Sequence, residues 1–487
     1  MKKRIHISLI IIVLGFVGDI NAQQDNLWTT EFGSRSTLVG SAVTASVRDN
    51  SAIYYNPGAL GFMEHSNIGL SANIATLYTS YIKNGGGDGV NMYYPYFSFV
   101  PQFISGIAKF RRLPDITFTY AIFNKQQSKL NFRESYYEEL DLYSQFEGDE
   151  KYYSKYEYFD EINETWFGIG AGFLMSEKWS AGLSLFFAYR SETSFSNIEN
   201  NVFDSNDDLV ANTRFNRRVK FNQLGMIFKI GVAYEDEYVS WGATVTTTGI
   251  PTLLFDGASI QRQESVNLPG SRLHYYDVYN DWTNSWFKNP WELDAGVQFL
   301  FLGGIVNGRM NLFSQVSPYS ITGFDDEAIV ASNVEKPIYP NKNKVMYASK
   351  RIFNFAIGYE REVTENWVLL SGIKVDRNVF DTNKLSRTEN WVPTISYWNL
   401  YSVTLGFDYI TPNSNNIIFG LSYRFSFRSA HSQLVNLSDP DPDNYLLGTV
   451  DNSSETSING LALVVGYTLN FSKPKSSKKD IRGKFNY

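Results

Sequence analysis

Charged residues that alternate with apolar ones are the first candidates for chemistry in this sequence. Five of them are Asp294, Arg309, Lys374, Asp408 and Arg424. Carboxylate and guanidinium groups that face one another can form internal salt bridges, or they can bind the charged head group of an anionic ligand. Because both signs are interspersed, the pattern favours internal pairing over an anion site.

Catalytic and metal-binding residue types are scarce. The chain has no Cys and only four His, one of which lies within the first ten residues. The others, His65, His274 and His431, have no neighbouring nucleophile or second ligand in the sequence. We therefore predict that the protein is not an enzyme and that it holds neither a metal nor a cofactor.

Two segments, 135–163 and 253–289, concentrate aromatic side chains. In the first, Tyr136, Leu140 and Tyr143 have the spacing of one face of a helix. In the second, the most prominent residues are Trp282, Trp286 and Phe287. Exposed aromatic residues can capture a hydrophobic ligand, or they can pack the loops against one another as a lid. Both interpretations remain open at this point.

Composition narrows the class of protein. The formal net charge is -7 and no basic stripe is present, which argues against a nucleic-acid partner. Aromatic residues make up 16% of the chain and charged residues only 19%, compared with about 25% charged residues in ordinary globular proteins. This balance is typical of a sheet that faces lipid on one side.

Long segments alternate large apolar residues with small or polar ones, as strands do. Trp291, Leu293 and Ala295 share one face of such a segment, while Glu292 and Asp294 occupy the other. The same period recurs in 179–189, 401–409 and 417–427. Several tryptophans stand near predicted strand starts, where a membrane-interface belt is expected: Trp166, Trp179, Trp241, Trp291 and Trp367.

Short and long connections alternate along the chain. The short turns are predicted at 111–114, 176–177, 235–237, 303–304, 363–365 and 411–414, and the long loops at 83–95, 135–163, 195–214, 253–289, 318–345, 381–392 and 433–456. Together they imply an all-β fold, a transmembrane antiparallel barrel of about fourteen strands spanning 65–471. Both chain ends then lie on the periplasmic side of a Gram-negative outer membrane.

The two ends of the chain carry export and assembly features. A basic start, an apolar stretch over 5–17 and Ala22 before Gln23 predict a signal peptide over 1–22. Near the other end, four residues resemble the C-terminal signal that the barrel-assembly machinery reads: Gly466, Tyr467, Leu469 and Phe471. The basic remainder, 472–487, is predicted to be a solvated periplasmic tail.

Residues 23–64 precede the first predicted strand. Within them, the run from Ser51 to Leu60 reads Ser-Ala-Ile-Tyr-Tyr-Asn-Pro-Gly-Ala-Leu. This run resembles a stretch of the FadL/TodX family of outer-membrane hydrophobic-compound transporters, although the family's Asn-Pro-Ala is Asn-Pro-Gly here. The resemblance implies an N-terminal hatch inside the barrel, with gating residues Phe32, Tyr54, Asn56, Pro57, Gly58 and Leu60. An ordinary turn at Asn56-Pro57-Gly58 is the alternative.

The resemblance also implies a function. We expect ligand-gated, passive uptake of small hydrophobic compounds, such as long-chain fatty acids or aromatic compounds, with lateral exit into the membrane. The alternatives are a FadL-like shuttle or adaptor of a protein secretion system and a general diffusion porin, which a hatch argues against. The expected partners are outer-membrane lipids, a small hydrophobic ligand and, during biogenesis, the barrel-assembly machinery, with the barrel itself a monomer.

Overall fold

The computed structural model describes residues 26–64, 66–252, 254–386, 389–393, 395, 398–412 and 415–470. The predicted signal peptide, the predicted tail and Phe471 lie outside the described residues.

Strands make up most of the described chain. The strands are β1 (Asn67–Lys83), β2 (Met92–Lys109), β3 (Ile116–Leu140), β4 (Glu150–Leu174), β5 (Trp179–Phe203), β6 (Leu209–Glu235), β7 (Val239–Thr246), β8 (Ile250–Pro251), β9 (Gly257–Asn267), β10 (His274–Thr283), β11 (Glu292–Phe301), β12 (Gly304–Phe313), β13 (Val316–Gly323), β14 (Ile329–Ser332), β15 (Lys344–Ser349), β16 (Ile352–Thr364), β17 (Trp367–Asp376), β18 (Leu400–Ile410), β19 (Asn416–Phe425), β20 (Ser429–His431) and β21 (Ser454–Asn470). The helices are α1 (Ser34–Leu38) and α2 (Ala52–Tyr55), and the 3-10 helices are Pro57–Phe62, Pro340–Asn343 and Pro442–Asn444.

Fourteen strands close into an antiparallel barrel, which confirms the predicted fold class. Their order is β1, β2, β3, β4, β5, β6, β7, β11, β12, β16, β17, β18, β19 and β21. The last of these pairs with the first, from Asn67 opposite Asn470 to Lys83 opposite Glu455. This closing contact pairs the first barrel strand with the last, which satisfies backbone groups that lipid cannot.

The six predicted short turns connect neighbouring barrel strands at the end where the barrel's first strand begins, although residues 413 and 414 of the last turn lie outside the described residues. Several predicted long loops are wrong in extent. Segments 135–163 and 195–214 consist mostly of the outer ends of β3 to β6, which are 25 to 27 residues long, and 253–289 contains β9 and β10. Polar alternation suggested loops there, but cross-strand pairs such as Lys129 with Glu161 continue the ladder above the membrane.

The predicted helical face at Tyr136, Leu140 and Tyr143 is also wrong. Tyr136 and Leu140 belong to β3, and Tyr143 lies in the turn that follows it. Tyr136 and Leu140 are four residues apart and so share a face in a strand as well as in a helix, which means that their spacing could not distinguish the two structures.

Large apolar side chains cover the outside of the barrel. Leu183, Ile230, Leu405 and Leu421 are each exposed by about half of their surface. At the short-turn end, the Trp179 ring centroid lies 5.0 Å from that of Trp241 and 5.1 Å from that of Tyr234. An apolar belt with aromatic residues at its border is the exterior of an outer-membrane barrel. Because outer-membrane barrels have short periplasmic turns and longer extracellular loops, we assign the long connections to the extracellular side.

The described helices include none that is long and apolar enough to cross a bilayer.

An extracellular sheet extends the barrel on one side. The outer ends of β3, β4, β5 and β6 continue the ladder, and β9, β10 and β14 add to it. β6 pairs with β9 from Asn222 opposite Gly257 to Asn212 opposite Asn267. Because the ladder of β3 to β6 is continuous, one face of this sheet continues the lumen-facing side of the barrel wall. We call it the interior face of the sheet.

Candidate functional site

The N-terminal segment, residues 26–64, lies inside the barrel and is largely buried. Its 3-10 helix Pro57–Phe62 packs against β4, β5 and β6, close to the short turns. Ser180 of β5 donates a hydrogen bond to the Gly58 carbonyl at 2.5 Å. A Cβ atom at Gly182 would stand 2.1 Å from the Pro57 carbonyl oxygen. Glycine on the barrel wall is therefore required for the segment to approach this closely.

Asn56 fixes the turn that the sequence motif indicated. Its side-chain amide donates to the Thr44 carbonyl at 2.8 Å and to the Val232 carbonyl of β6 at 3.0 Å, and its oxygen accepts from Gly58 N at 2.9 Å. A Cβ at Gly58 would lie 2.9 Å from the backbone of Gly231. The close contact explains why glycine follows Pro57 in this chain. Leu60, four residues after Asn56, is fully buried.

Six aromatic rings meet where the segment faces β2 to β5. We call them the aromatic cluster: Phe32, Tyr54, Phe103, Phe123, Trp166 and Phe186. The Phe32 ring centroid is 4.4 Å from that of Phe123 and 4.5 Å from that of Tyr54. Trp166 and Phe186 are 5.0 Å apart. The predicted gating residues Phe32 and Tyr54 are therefore in direct contact with the barrel wall.

The barrel wall opens beside the aromatic cluster. β2 and β3 pair over seven positions, from Lys109 opposite Thr117 to Phe103 opposite Phe123. Beyond Phe123, β3 has a bulge at Lys125 and its described residues pair only with β4, while the upper part of β2 pairs with β1. We call this end of the ladder the β2–β3 seam. Bulges often redirect a strand in this way beside a functional site.

A small cavity of about 40 Å³ adjoins the aromatic cluster. It reaches from Leu27 and Lys125 past Trp166 to Glu292 and Phe313. Lys125 donates a hydrogen bond to the Leu27 carbonyl at 2.6 Å, so the bulge of β3 also holds the start of the segment. The cavity is large enough for water but much smaller than the roughly 150 Å³ that accommodates benzene.

The opposite side of the lumen is ionic. Arg309 pairs with Asp294 and donates to the Ser41 carbonyl at 3.1 Å, and Thr44 donates to Asp294 at 2.5 Å. Arg35 of α1 pairs with Glu360 of β16 at 2.6 Å. These contacts join the N-terminal segment to the barrel wall.

Lys374 and Arg424 hold the beginning of the segment. Lys374 pairs with Glu31 and donates to the Trp28 carbonyl at 2.8 Å. Arg424 donates to the Thr29 carbonyl and to the Tyr78 hydroxyl, the latter at 2.6 Å. Asp408 instead accepts two hydrogen bonds from Asn416 on the neighbouring strand. In the structure, Asp294, Arg309, Lys374 and Arg424 make internal ion pairs and Asp408 accepts hydrogen bonds within the barrel wall. The role of these residues in ligand binding stays a prediction.

The predicted capture residues do not come together. Tyr136 and Tyr143 pack around Tyr152 in the extracellular sheet. Trp282 is 84% exposed. Phe287 is buried beneath the Arg190 guanidinium, which lies 3.8 Å from its ring centroid.

Leu140 lies with the Tyr136 group, and Trp286 is half-exposed beside Lys288. Of the predicted assembly signal, Tyr467 and Leu469 face outward on β21. Gly466 faces inward, against Ser34.

Sequence reasoning missed several residues of the site. Phe103, Phe123 and Phe186 gave no signal beyond ordinary strand alternation. Trp166 was expected at the membrane interface, but it is 4% exposed and lies in the lumen. Its position on the inward face of β4 was the signal that could have placed it. Within the described ranges, no group of three or more His, Asp or Glu residues could hold a metal.

The sequence matches no protein-family model, and no curated protein matches it. Solved structures are similar in fold. The toluene transporter TodX of P. putida has a TM-score of 0.56 at 14% identity, covering 92% of this chain and 99% of its own. The toluene transporter TbuX of Ralstonia pickettii has a TM-score of 0.51 at 15% identity, covering 92% and 100%.

A FadL homologue of Pseudomonas aeruginosa has a TM-score of 0.53 at 12% identity and covers 93% of this chain and 99% of its own. The match extends over almost the whole of each chain. This protein therefore has the fold of the FadL- and TodX-type outer-membrane barrels.

Proposed function

We propose that the protein is an outer-membrane channel through which small hydrophobic compounds diffuse passively. Aromatic compounds and long-chain fatty acids are the candidate ligands. The N-terminal segment closes the lumen, a ligand displaces part of it, and the ligand leaves sideways through the β2–β3 seam. The observation that carries this proposal is the position of the aromatic cluster directly behind the seam.

The height of the seam supports lateral exit. The seven residue pairs below it span six steps of about 3.3 Å along a strand tilted by roughly 40°, which places the opening about 15 Å above the lowest pair, next to the short turns. The apolar band of an outer-membrane barrel is about 25 Å tall. Ile104 and Ile122, next to the end of the ladder, are about half exposed on the outer face. A solute that crosses here would enter hydrocarbon rather than water.

The size of the cavity supports gating by the N-terminal segment. At about 40 Å³ it cannot accept an aromatic ring in the closed arrangement. Phe32 and Tyr54 belong to the segment and Phe123 to the wall, so a small displacement of the segment would separate these rings. A ligand ring could replace the lost ring contacts, each of which contributes about 0.5–1.5 kcal/mol.

The solved structures support the ligand class. Two of the similar barrels are toluene transporters. Toluene is therefore a suitable first probe, with oleate as the acyl-chain probe.

Uptake by cells that lack any other channel of this kind tests the proposal. Expression should raise the uptake of labelled toluene, and Phe123→Ala should reduce it several-fold by removing a ring from the seam. Phe167→Ala is the matched control, because Phe167 lies on the lipid face of β4. An increase limited to small hydrophilic solutes would favour a porin. Unchanged uptake with co-purified secreted protein would favour the adaptor function.

A further inference from the structure

The outward side chains of β6 change from apolar to polar at one level. They are apolar at every second position from Tyr234 up to Leu224, and polar at Asn222, Lys220 and Arg218. The distance along the strand from residue 234 to residue 224 corresponds to a rise of about 25 Å at a tilt of roughly 40°. This rise equals the height of the apolar band of an outer-membrane barrel. Leu224 therefore marks the outer border of the hydrocarbon.

Three large apolar side chains project from the protein at this border, and we call them the apolar ridge: Leu254, Phe255 and Trp282. Their exposed fractions are 60%, 76% and 84%. The loop that carries the first two is held at the border, because Leu224 N donates a hydrogen bond to Asp256 at 3.0 Å. A Cβ atom at Gly257, which lies opposite Asn222, would be 3.4 Å from the Trp282 ring. Both parts of the ridge thus lie at the level where the apolar band ends.

The backbone of the ridge is strained. The φ angle is +60° at Phe255 and +65° at Trp282, a conformation that residues other than glycine rarely adopt. At Trp282 the register of β10 against β9 also shifts, between Asp281 and Thr283. Strained backbone and exposed apolar surface are both unfavourable in water. Contact with acyl chains would remove the second cost, and tryptophan is enriched at this level of membrane proteins.

Two cations of β6 lie just outside the border. Arg218 and Lys220 are exposed, and their cross-strand neighbours on β5 and β9 are all uncharged. In the part of the chain that the structure describes, neither side chain forms an ion pair. By contrast, Arg214, further from the membrane on the same face, lies opposite Glu199. The two positive charges nearest the membrane on β6 are therefore the ones without a counter-charge.

The spacing of the two cations suits a phosphate group. Residues two positions apart on one face of a strand are separated by about 7 Å. Lys220 begins about 10 Å above Leu224, and a lysine side chain can extend back toward the border. A guanidinium group binds phosphate oxygens in a bidentate manner. Positive charge outside an apolar band also attracts anionic head groups.

We propose that Arg218, Lys220 and the apolar ridge together bind a phosphorylated lipid of the outer leaflet. The phosphate lies between the two cations, and the acyl chains lie against the ridge. The site is on the outside of the barrel, apart from the aromatic cluster in the lumen. It therefore stands independently of the proposed transport function.

Native mass spectrometry of the purified barrel with added diphosphorylated lipid A tests the head-group contact. The wild type should retain the lipid, and Arg218→Gln and Lys220→Gln should each lower the bound fraction at least fivefold, because each removes a charge that contacts phosphate. Arg214→Gln is the matched control. It removes the same charge from the same face of β6 and should leave the bound fraction unchanged, since Arg214 lies opposite Glu199.

Two results of this experiment would overturn the proposal. One is an equal loss of lipid in Arg214→Gln and Arg218→Gln, which would show only a general effect of net charge. The other is displacement of the lipid by an excess of inorganic phosphate, which would show a site for free anions. The unfolding temperatures of all three variants should match that of the wild type, because the substituted side chains are exposed.

Fluorescent labels test whether the ridge enters the membrane. The chain has no cysteine, so a label can be attached to Phe255→Cys or Trp282→Cys alone. In liposomes, both labels should be quenched by lipids brominated near the head-group end of the acyl chains. Leu209→Cys is the control, because Leu209 is 51% exposed at the outer end of β6, far above the border. Its label should be quenched only by iodide in the water.

The ridge labels also distinguish lipid from protein. Quenching of the labels at Phe255→Cys and Trp282→Cys by iodide alone would place the ridge in water and contradict the proposal. A second copy of this chain is the other possible occupant of the ridge. A wild-type dimer that becomes a monomer in Trp282→Ser would assign the ridge to a protein interface, and the lipid proposal would then be wrong.

Discussion

The two sides of the lumen hold the N-terminal segment by different forces. Toward β2–β5 the contacts are aromatic, with Phe32 and Tyr54 packed on Phe123 and Trp166. Toward β11–β19 they are ionic, with Arg35 on Glu360 as an example. Apolar contacts are not directional and an apolar ligand can replace them, whereas buried ion pairs require their own partners. The ionic side therefore anchors the segment and the aromatic side can open.

Removing an ion pair on the ionic side of the lumen should have the largest effect on the stability of the protein. Asp294→Ala removes the nearer of two carboxylates from Arg309, whose side chain is 1% exposed, and leaves it only Glu292 at 3.8 Å. We expect the free energy of unfolding to fall by about 3–5 kcal/mol, the usual cost of removing one partner of a buried ion pair. Denaturant titration in detergent measures it.

Two controls bracket this prediction. The double variant Asp294→Leu with Arg309→Met should lose less than the single variant, because both charges of the pair are removed. Asp236→Ala removes an exposed carboxylate that pairs with Lys178 in a short turn, and it should have almost no effect. A loss for Asp294→Ala no larger than that for Asp236→Ala would contradict the anchoring role.

A smaller loss of stability is expected from a change where the 3-10 helix Pro57–Phe62 of the segment packs against the barrel wall. Gly182→Ala places a Cβ 2.1 Å from the Pro57 carbonyl oxygen, so the 3-10 helix must shift. Such overpacking typically costs about 1–3 kcal/mol. We expect faster leakage of small hydrophilic solutes into liposomes that contain the variant.

The matched control for this change is Gly308→Ala, where the nearest atom to the new Cβ would be 3.5 Å away. Leakage equal to that of the wild type in both variants would show that the 3-10 helix does not seal the lumen.

The smallest effect concerns the residue that joins the two sides. The Tyr55 hydroxyl accepts from Phe32 N at 3.1 Å and donates to Ser41 at 3.3 Å. Tyr55→Phe leaves the Phe32 amide without this partner and should cost about 1 kcal/mol of unfolding free energy. Tyr423→Phe removes an exposed hydroxyl on the outer face and should cost less. Equal losses of unfolding free energy in Tyr55→Phe and Tyr423→Phe would show that the Tyr55 hydroxyl does not connect the two sides of the segment.

The comparison of the two sides of the lumen also shows which features can be predicted from the sequence. The short turns were predictable because glycine, proline, asparagine or acidic residues interrupt strict alternation there. The charged positions in the lumen were predictable from the same period. Their partners were not, since Glu31 and Lys374 are 343 positions apart and only barrel closure brings them together.

The β2–β3 seam and the extracellular sheet could not be predicted from the sequence for a related reason. The bulge at Lys125 depends on how β3 registers against β4, and a single sequence does not show register. In the extracellular sheet, polar residues occur on both faces. The alternation of apolar and polar residues that marks a lipid-facing strand is therefore absent there.

A reversible tether between segment and wall tests the central claim most directly. The chain has no cysteine, and the hydroxyls of Ser34 in α1 and Ser71 in β1 are 3.0 Å apart. Cysteines at these two positions would join the segment to the barrel. Cysteines at Ser36 and Ser51, whose hydroxyls are also 3.0 Å apart, would join two parts of the segment and serve as the control.

Toluene uptake is then measured with each pair oxidised and reduced. If the segment must move away from the wall, oxidation of the Ser34→Cys/Ser71→Cys pair should lower uptake at least tenfold. Reduction should restore it, and the control pair should respond to neither treatment. Full uptake through a completely oxidised Ser34→Cys/Ser71→Cys barrel would contradict gating by the N-terminal segment.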